Sequence, residues 1–269
     1  NAEGEEFYWH RSKKMGLLNP NQPEFGLANG TQTVDGRHVH SATAGYFGRI
    51  NYNWNEIWLL ELNGRFDGSS SFPSKDRWAF FPSASVGYRF SQEGYFDKLR
   101  NIINNGKLRA SLGEIGNEAV GEDMFISTIS TVDNRYWLDS EGNLMTMYNV
   151  PSLVSSSLTW ERIRTLDLGI DLGFLNNELN VSFDWYQRKT LDMLAPGVTL
   201  PDVLGTKEPY TNAGSLRTRG WELNLSWNHR FGDFNVYASG NLSDYKTVVT
   251  DWNNPQGILS DYFSGKVYG

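Results

Sequence analysis

The stretch Trp221-Glu222-Leu223-Asn224-Leu225-Ser226-Trp227-Asn228 alternates apolar and polar residues without interruption. Successive side chains on a strand point to opposite faces, so this segment has one apolar face and one polar face. The same alternation recurs in Leu166–Phe174 (LDLGIDLGF) and in Leu179–Trp185 (LNVSFDW). These runs are long, they come in pairs, and aromatics sit near their ends. A sheet in water needs only the alternation, whereas a membrane-spanning β-barrel needs all of these features together.

The composition is compatible with that reading. The chain has 269 residues, 39% of them hydrophobic, and a mean hydropathy of −0.49. Such an average is normal for a barrel, because lumen and lipid residues alternate along every strand. The most apolar run, Ile57–Leu62, is interrupted by Glu61, and no stretch approaches the roughly 20 apolar residues of a membrane helix. Aromatics make up 14%, including ten Trp, the ring types enriched at lipid–water boundaries. Cysteine is absent, so there is neither a disulfide framework nor a thiolate metal site. The net charge of −7 argues against non-specific nucleic-acid binding. Asn1 opens with neither a basic nor an apolar leader region. A barrel requires export, so either a leader has been removed or the true N-terminus is missing, and the second is the expectation.

About eight strands are expected. Gly45–Asn53 and Ile57–Asp67 flank a tight turn at Trp54-Asn55-Glu56. A longer loop, Gly68–Ala79, leads to Phe80–Phe90, and a short helix is expected from Ser91 to Asn105. Its Tyr95, Phe96, Leu99, Ile102 and Ile103 recur at helical spacing. Lys107–Ile115 is the fourth strand, and the insert Gly116–Ser157, rich in Gly, Asn, Asp and Ser, reads as loop. Trp160–Phe174 and Glu178–Thr190 meet across Asn176-Asn177, a hairpin signal. The loop Leu191–Gly214 carries Pro196, Pro201 and Pro209, and Ser215–Arg230 turns at Gly232-Asp233 into Phe234–Thr247.

Every second connection is short. Outer-membrane barrels have short periplasmic turns and longer extracellular loops. The turns at Asn55, Asn176 and Gly232 are therefore placed in the periplasm, with the inserts at Gly68, Gly116, Leu191 and Val248 outside. The lipid face reads Trp58, Leu60, Leu62 and Phe66 on one strand and Pro82, Ala84, Val86, Tyr88 and Phe90 on the next. Glu61, Asn63, Arg65 and Asp67 fall opposite. A soluble β-sandwich would alternate too, but its strands average about 5–6 residues and these are about twice that.

The wording of the chain carries a family resemblance. LNGRFDGSSSF (62–72), RWAFFPSASVGYRFS (77–91), KLRASLGEIGN (107–117), LTWERIRTLDLGIDLGFLNNELNVSFDWYQRKTLDML (158–194) and TNAGSLRTRGWELNLSWNHRFGDFNVYASGNLS (211–243) resemble the SusC/RagA family of TonB-dependent outer-membrane transporters. The segments occur in the family's order and cover most of Tyr46–Thr247. The resemblance implies an all-β fold: an antiparallel transmembrane wall of about eight strands from a barrel of about 22. It implies that residues 1–269 are one part of a receptor-like barrel domain whose plug and C-terminal strands are absent. The implied partners are a SusD-like surface lipoprotein, TonB–ExbB–ExbD through a missing N-terminal part, and outer-membrane lipid. The implied substrate is an oligosaccharide or a peptide, and no cofactor is expected.

Other constellations are weaker. His38 and His40 share one face of an extended segment with His10 upstream, but no third metal ligand is apparent. Asp139-Ser140-Glu141-Gly142-Asn143 lacks the full ligand series of a calcium loop. Gly113, Gly116 and Gly121 precede no Lys-Ser/Thr and make no phosphate loop. No Ser/His/Asp or paired-carboxylate arrangement supports an enzyme. The candidates for substrate contact are loop aromatics beside polar groups: Trp9, Tyr136, Trp137, Asp139, Tyr148 and Tyr210. Two functions follow: a transporter segment in the outer membrane of a Gram-negative bacterium, or a self-contained eight-stranded barrel acting as anchor or adhesin.

Overall fold

The computed structural model describes residues 2–13, 32–118, 124–129, 131–132, 138, 140–142, 147–197, 200–252 and 265–267, with the backbone alone for 2–13, 32–39, 131–132 and 147. The chain divides into two units, 1–44 and 45–269. In the first, β1 (Ala2–Lys13) forms an antiparallel hairpin with the opening of β2 (Gln32–Trp54), Ala2 opposite Thr43. The sequence reading had not assigned β1.

The second unit is one antiparallel sheet built in chain order. From Gly45 on, β2 is followed by β3 (Trp58–Ser69), β4 (Trp78–Tyr88), β5 (Ile103–Asn117), β8 (Glu161–Phe174), β9 (Leu179–Pro196), β10 (Tyr210–Phe231) and β11 (Phe234–Trp252). A separate small hairpin pairs β6 (Thr131–Val132) with β7 (Met147–Tyr148). All eight expected strands are present. Among the described residues no ladder joins β2 to β11, so the sheet is an open wall and the small closed barrel is not formed.

The tight turns are built by residues that tolerate a left-handed backbone. Asn55 and Glu56 have φ of 52° and 58°, Asn176 and Asn177 of 56° and 66°, and Gly232 of 59°. In the first two turns positive φ at both central positions matches the twist of the flanking strands, while the third has it at Gly232 alone. Ile57 N–H donates to the Trp54 carbonyl at 3.0 Å and Glu178 N–H to the Leu175 carbonyl at 3.1 Å.

Three segments differ from expectation. The helix from Ser91 to Asn105 is instead two 3₁₀ segments, Phe90–Gln92 and Gly94–Leu99, and Ile103 already belongs to β5. Ser91 makes no capping hydrogen bond, and of the spaced apolar residues only Phe96 is buried, packing on Phe90 at 5.1 Å. Without an apolar face to bury, a short α-helix has little to offset its nucleation cost. The insert Gly116–Ser157 holds the β6–β7 hairpin. The loop Leu191–Gly214 is shorter than read, because β9 runs on to Pro196 and β10 begins at Tyr210. Irregular register between Asn212 and Leu216 breaks the strict alternation there and hides the strand in sequence.

The register sorts the two faces. Trp58, Leu60, Leu62 and Phe66 stand across from Tyr88, Val86, Ala84 and Phe80. The apolar face continues through Leu108 and Leu112 to Ile170 and Leu166, and then through Phe183 to Leu223. Most of these large side chains are solvent-exposed in the isolated sheet. A continuous exposed apolar surface of this extent marks a second solvent, here lipid.

This band runs diagonally across the ladder. Leu62, its centre on β3, connects rung by rung through Ala84, Leu112, Leu166 and Gln187 to Arg219 on β10. On β10 the apolar run Trp221–Trp227 is centred about five residues further along, or ~17 Å at ~3.4 Å per residue. Five strand spacings of ~4.8 Å separate β3 from β10, so the band slopes at roughly 35° to the rungs. Strands of outer-membrane barrels tilt by about 35–45°, and the band is level with the membrane only if these strands tilt likewise.

Candidate functional site

The polar face carries a charge network spanning three strands. Arg109 on β5 donates from Nε to Asp171 Oδ2 at 2.8 Å and from Nη2 to Asp171 Oδ1 at 3.0 Å, a forked pairing. The same Nη2 donates to Asp184 Oδ1 on β9 at 2.8 Å and to Ser182 Oγ at 3.2 Å. Ser182 Oγ in turn donates to Asp171 Oδ1 at 2.9 Å. These groups are half-buried between neighbouring strands. Alternation places Asp171, Asp184 and Arg109 on this face, while the bridging of β5 to β9 follows from the register alone.

Two hollows open on the same face. One, of about 610 Å³, is lined by Asp171, Asn180, Ser182, Asn224, Ser226 and Asn241 among others. The other, of about 440 Å³, is bordered by Glu61, Lys107, Arg109, Ser111 and Asp167. Amides, hydroxyls and paired charges give a wettable wall that can hydrogen-bond to polar solutes or to a protein filling the lumen.

At the end bearing the long connections, Phe72, Ala79, Phe81, Leu158 and Trp160 form a buried apolar cluster. Trp160 packs against Phe72 at 5.0 Å and Phe81 at 5.6 Å, and its Nε1–H donates to the Arg77 carbonyl at 3.0 Å. Asn212, near the start of β10, ties the segment before β8 to β9: its Nδ2 donates to the carbonyls of Thr159 at 3.0 Å and Asp192 at 2.7 Å, and its Oδ1 accepts from Thr159 N–H at 3.1 Å. Sequence reading missed this anchor, since an Asn in a loop resembles any other turn residue.

Of the candidate contact residues, Tyr148 and Tyr210 have described side chains. Tyr148 is exposed on β7 opposite Thr131, and Tyr210 is exposed at the start of β10 opposite Pro196. Trp9 lies on β1 opposite Gly36, with its side chain outside the described residues. Tyr136, Trp137 and Asp139 also lie outside them. His10 and His38 sit on β1 and β2 across from Asp35 and Phe7. Among the described residues no group of three His, Asp or Glu could hold a metal ion.

An antiparallel wall with a tilted apolar band on one face and a hydrogen-bonded polar face on the other is the wall of an outer-membrane barrel. Residues 3–264 match the family model described as TonB dependent receptor-like, beta-barrel, and the chain belongs to that family. Barrels of this family lie in the outer membrane of Gram-negative bacteria. The chain is 31% identical over 227 residues to the TonB-dependent receptor SusC of Bacteroides thetaiotaomicron, covering 77% of this chain and 22% of that protein. It is 32% identical over 209 residues to the TonB-dependent receptor P26 of Formosa agariphila, covering 77% and 20%. The chain thus spans about a fifth of the length of these relatives, which are named as receptors and not as enzymes. Among solved structures, the RagAB peptide transporter superposes with a TM-score of 0.73 at 24% identity over 93% of this chain and 28% of that one. The outer membrane transporter YddB from Escherichia coli gives 0.58 at 12% identity over 92% and 30%. Both show the shared fold.

Proposed function

We propose that this chain forms a wall segment of a larger, plugged barrel that imports oligosaccharides or peptides across the outer membrane. The carrying observation is the family match over residues 3–264 on an open sheet with polar and apolar faces cleanly divided. An open edge in lipid leaves unsatisfied N–H and C=O groups costing several kcal/mol each, so the remaining barrel must pair with these strands. The plug and the C-terminal strands are assigned to the parts of the protein beyond this segment. Energy is delivered by TonB–ExbB–ExbD through the N-terminal part, and a SusD-like lipoprotein caps the extracellular mouth.

Trp9, Tyr136, Trp137, Tyr148 and Tyr210, with Asp139, are the proposed substrate contacts, since rings beside carboxylates suit sugar faces and peptide side chains. The structural neighbour named as a peptide importer favours peptides, and oligosaccharides are the other class the proposal carries. The test is uptake by cells lacking the full gene and complemented with it. Labelled oligosaccharides and peptides are offered in parallel, with and without a functional TonB. TonB-dependent uptake of either class supports the reading. Unchanged uptake of both on deletion contradicts it.

A further inference from the structure

Beyond the apolar band, the lipid-side face of β8–β11 changes chemistry within one or two rungs. The last outward apolar residues are Leu166, Trp185, Trp221 and Leu242, as the ladder sets them on one face. Next on that face come Arg164 and Arg162 on β8, Lys189 on β9, Arg219 and Arg217 on β10, and Lys246 on β11. The hydrogen bond from Arg219 Nε to Gln187 Oε1, 2.7 Å, confirms that both point to the Trp185–Trp221 side.

The register sets these cations against each other. Arg164 is opposite Lys189, Lys189 opposite Arg217, and Arg219 opposite Lys246. Like charges directly opposite across a ladder destabilise it. Among the described residues, carboxylates share or border the face, Asp251 opposite Ser215 being one. Glu114 is taken by the arginines, accepting from Arg164 Nε at 2.6 Å and lying 3.8 Å from Arg162 Nη1. Asp244 stands opposite Trp221. Among the described residues, Lys189, Arg217 and Lys246 form no salt bridge. In a chain of net charge −7, this concentration of positive charge is local. It is also one-sided: at the same end of β3 and β4 the outward face holds Phe66 stacked on Trp78 at 5.1 Å.

We propose that this basic patch binds the phosphate groups of lipid headgroups in the outer leaflet, as a fixed lipid site on the barrel wall. Its depth fits: the cations begin where the apolar band ends, so a headgroup on Arg217, Arg219 and Lys189 would lay its acyl chains over Trp185, Trp221 and Leu168. Arginine forks match phosphate oxygens in pairs, and a phosphate between two opposed cations replaces repulsion by two charge-assisted hydrogen bonds. The patch crosses four strands, about 14 Å at ~4.8 Å spacing, and so suits a lipid carrying more than one phosphate. A soluble anion would use the charges and leave the adjoining apolar surface unused. The inference goes beyond transport and needs no particular substrate.

The test uses the full-length protein in nanodiscs of zwitterionic phospholipid containing equal amounts of a diphosphorylated glycolipid and the same glycolipid stripped of phosphate. Native mass spectrometry reads the lipids that stay bound. The diphosphorylated form should be retained in about tenfold excess over the stripped form. Combined Lys189→Gln, Arg217→Gln and Arg219→Gln should bring the ratio near one, while Arg188→Gln, on the opposite face of β9, leaves it unchanged. Inorganic phosphate in large excess should not displace the lipid. Equal retention of the two glycolipids by the unaltered protein overturns the proposal without relying on any variant. Displacement by inorganic phosphate, or an acidic protein bound there in place of lipid, overturns it as well.

Discussion

Arg109 on β5 reaches across β8 to the Asp184 carboxylate on β9, donating to it at 2.8 Å, and it passes directly over Gly169. A Cβ at position 169 would collide with Asp184 Oδ1 and with the Arg109 guanidinium. The missing side chain on β8 is what lets a charge pair span three strands. Gly169→Val is expected to break the bridge and cost about 1 kcal/mol, the discounted value for a half-exposed charged hydrogen bond. Urea unfolding of the full-length protein in lipid vesicles measures it. Gly48→Ala, with nothing within 4 Å of its added Cβ, is the matched control and should leave the midpoint unchanged.

Asn177 holds φ at 66° in the turn between β8 and β9, next to Asn176, whose N–H donates to Asn104 Oδ1 at 2.6 Å. A β-branched side chain is strained in that conformation by about 1–2 kcal/mol. Asn177→Val should therefore slow assembly of the heat-modifiable barrel, and Asn177→Gly should not. Gel shift during refolding reads both.

Leu225 lies mid-band on the apolar face and Ser226 on the opposite face. Leu225→Arg should destabilise the assembled barrel by about 2–4 kcal/mol, the cost of a cation at the bilayer midplane. Ser226→Arg, one residue along, should cost far less. Equal costs for the two would contradict the face assignment.

The chain contains no cysteine, so introduced ones report alone. Ser140→Cys, exposed among the long connections, should react with an impermeant maleimide on intact cells. Asn177→Cys should react only after the outer membrane is opened. The reverse pattern would invert the orientation.

Much of the wall was legible before the structure because its determinants are local. Period-two alternation from Trp221 to Asn228 and Asn at both central turn positions fix strand, face and hairpin within a dozen residues. What escaped depends on register or on distant partners. Arg109 meets Asp184 across an intervening strand, and the cations at Lys189 and Arg217 look harmless singly until the ladder sets them opposite. The expectation that charge is sorted off the lipid face therefore holds within the apolar band and fails at its border on the side of the long connections. There the cost of a cation falls to about 0–1 kcal/mol. The helix expected from Ser91 failed because helical spacing says nothing about whether a neighbouring surface exists to bury Leu99 or Ile102.

The central claim is that Trp221–Asn228 crosses the membrane with alternate residues in lipid and in the lumen. Nitroxide labels placed one at a time along this stretch of the full-length protein in bilayers test it most directly. Relaxation by oxygen, which partitions into lipid, is compared with relaxation by a water-soluble nickel chelate. The account predicts period-two alternation, with oxygen dominant at positions 221, 223, 225 and 227 and the chelate dominant at 222, 224, 226 and 228. Uniform accessibility to the chelate along the stretch, or alternation of the opposite phase, would contradict it.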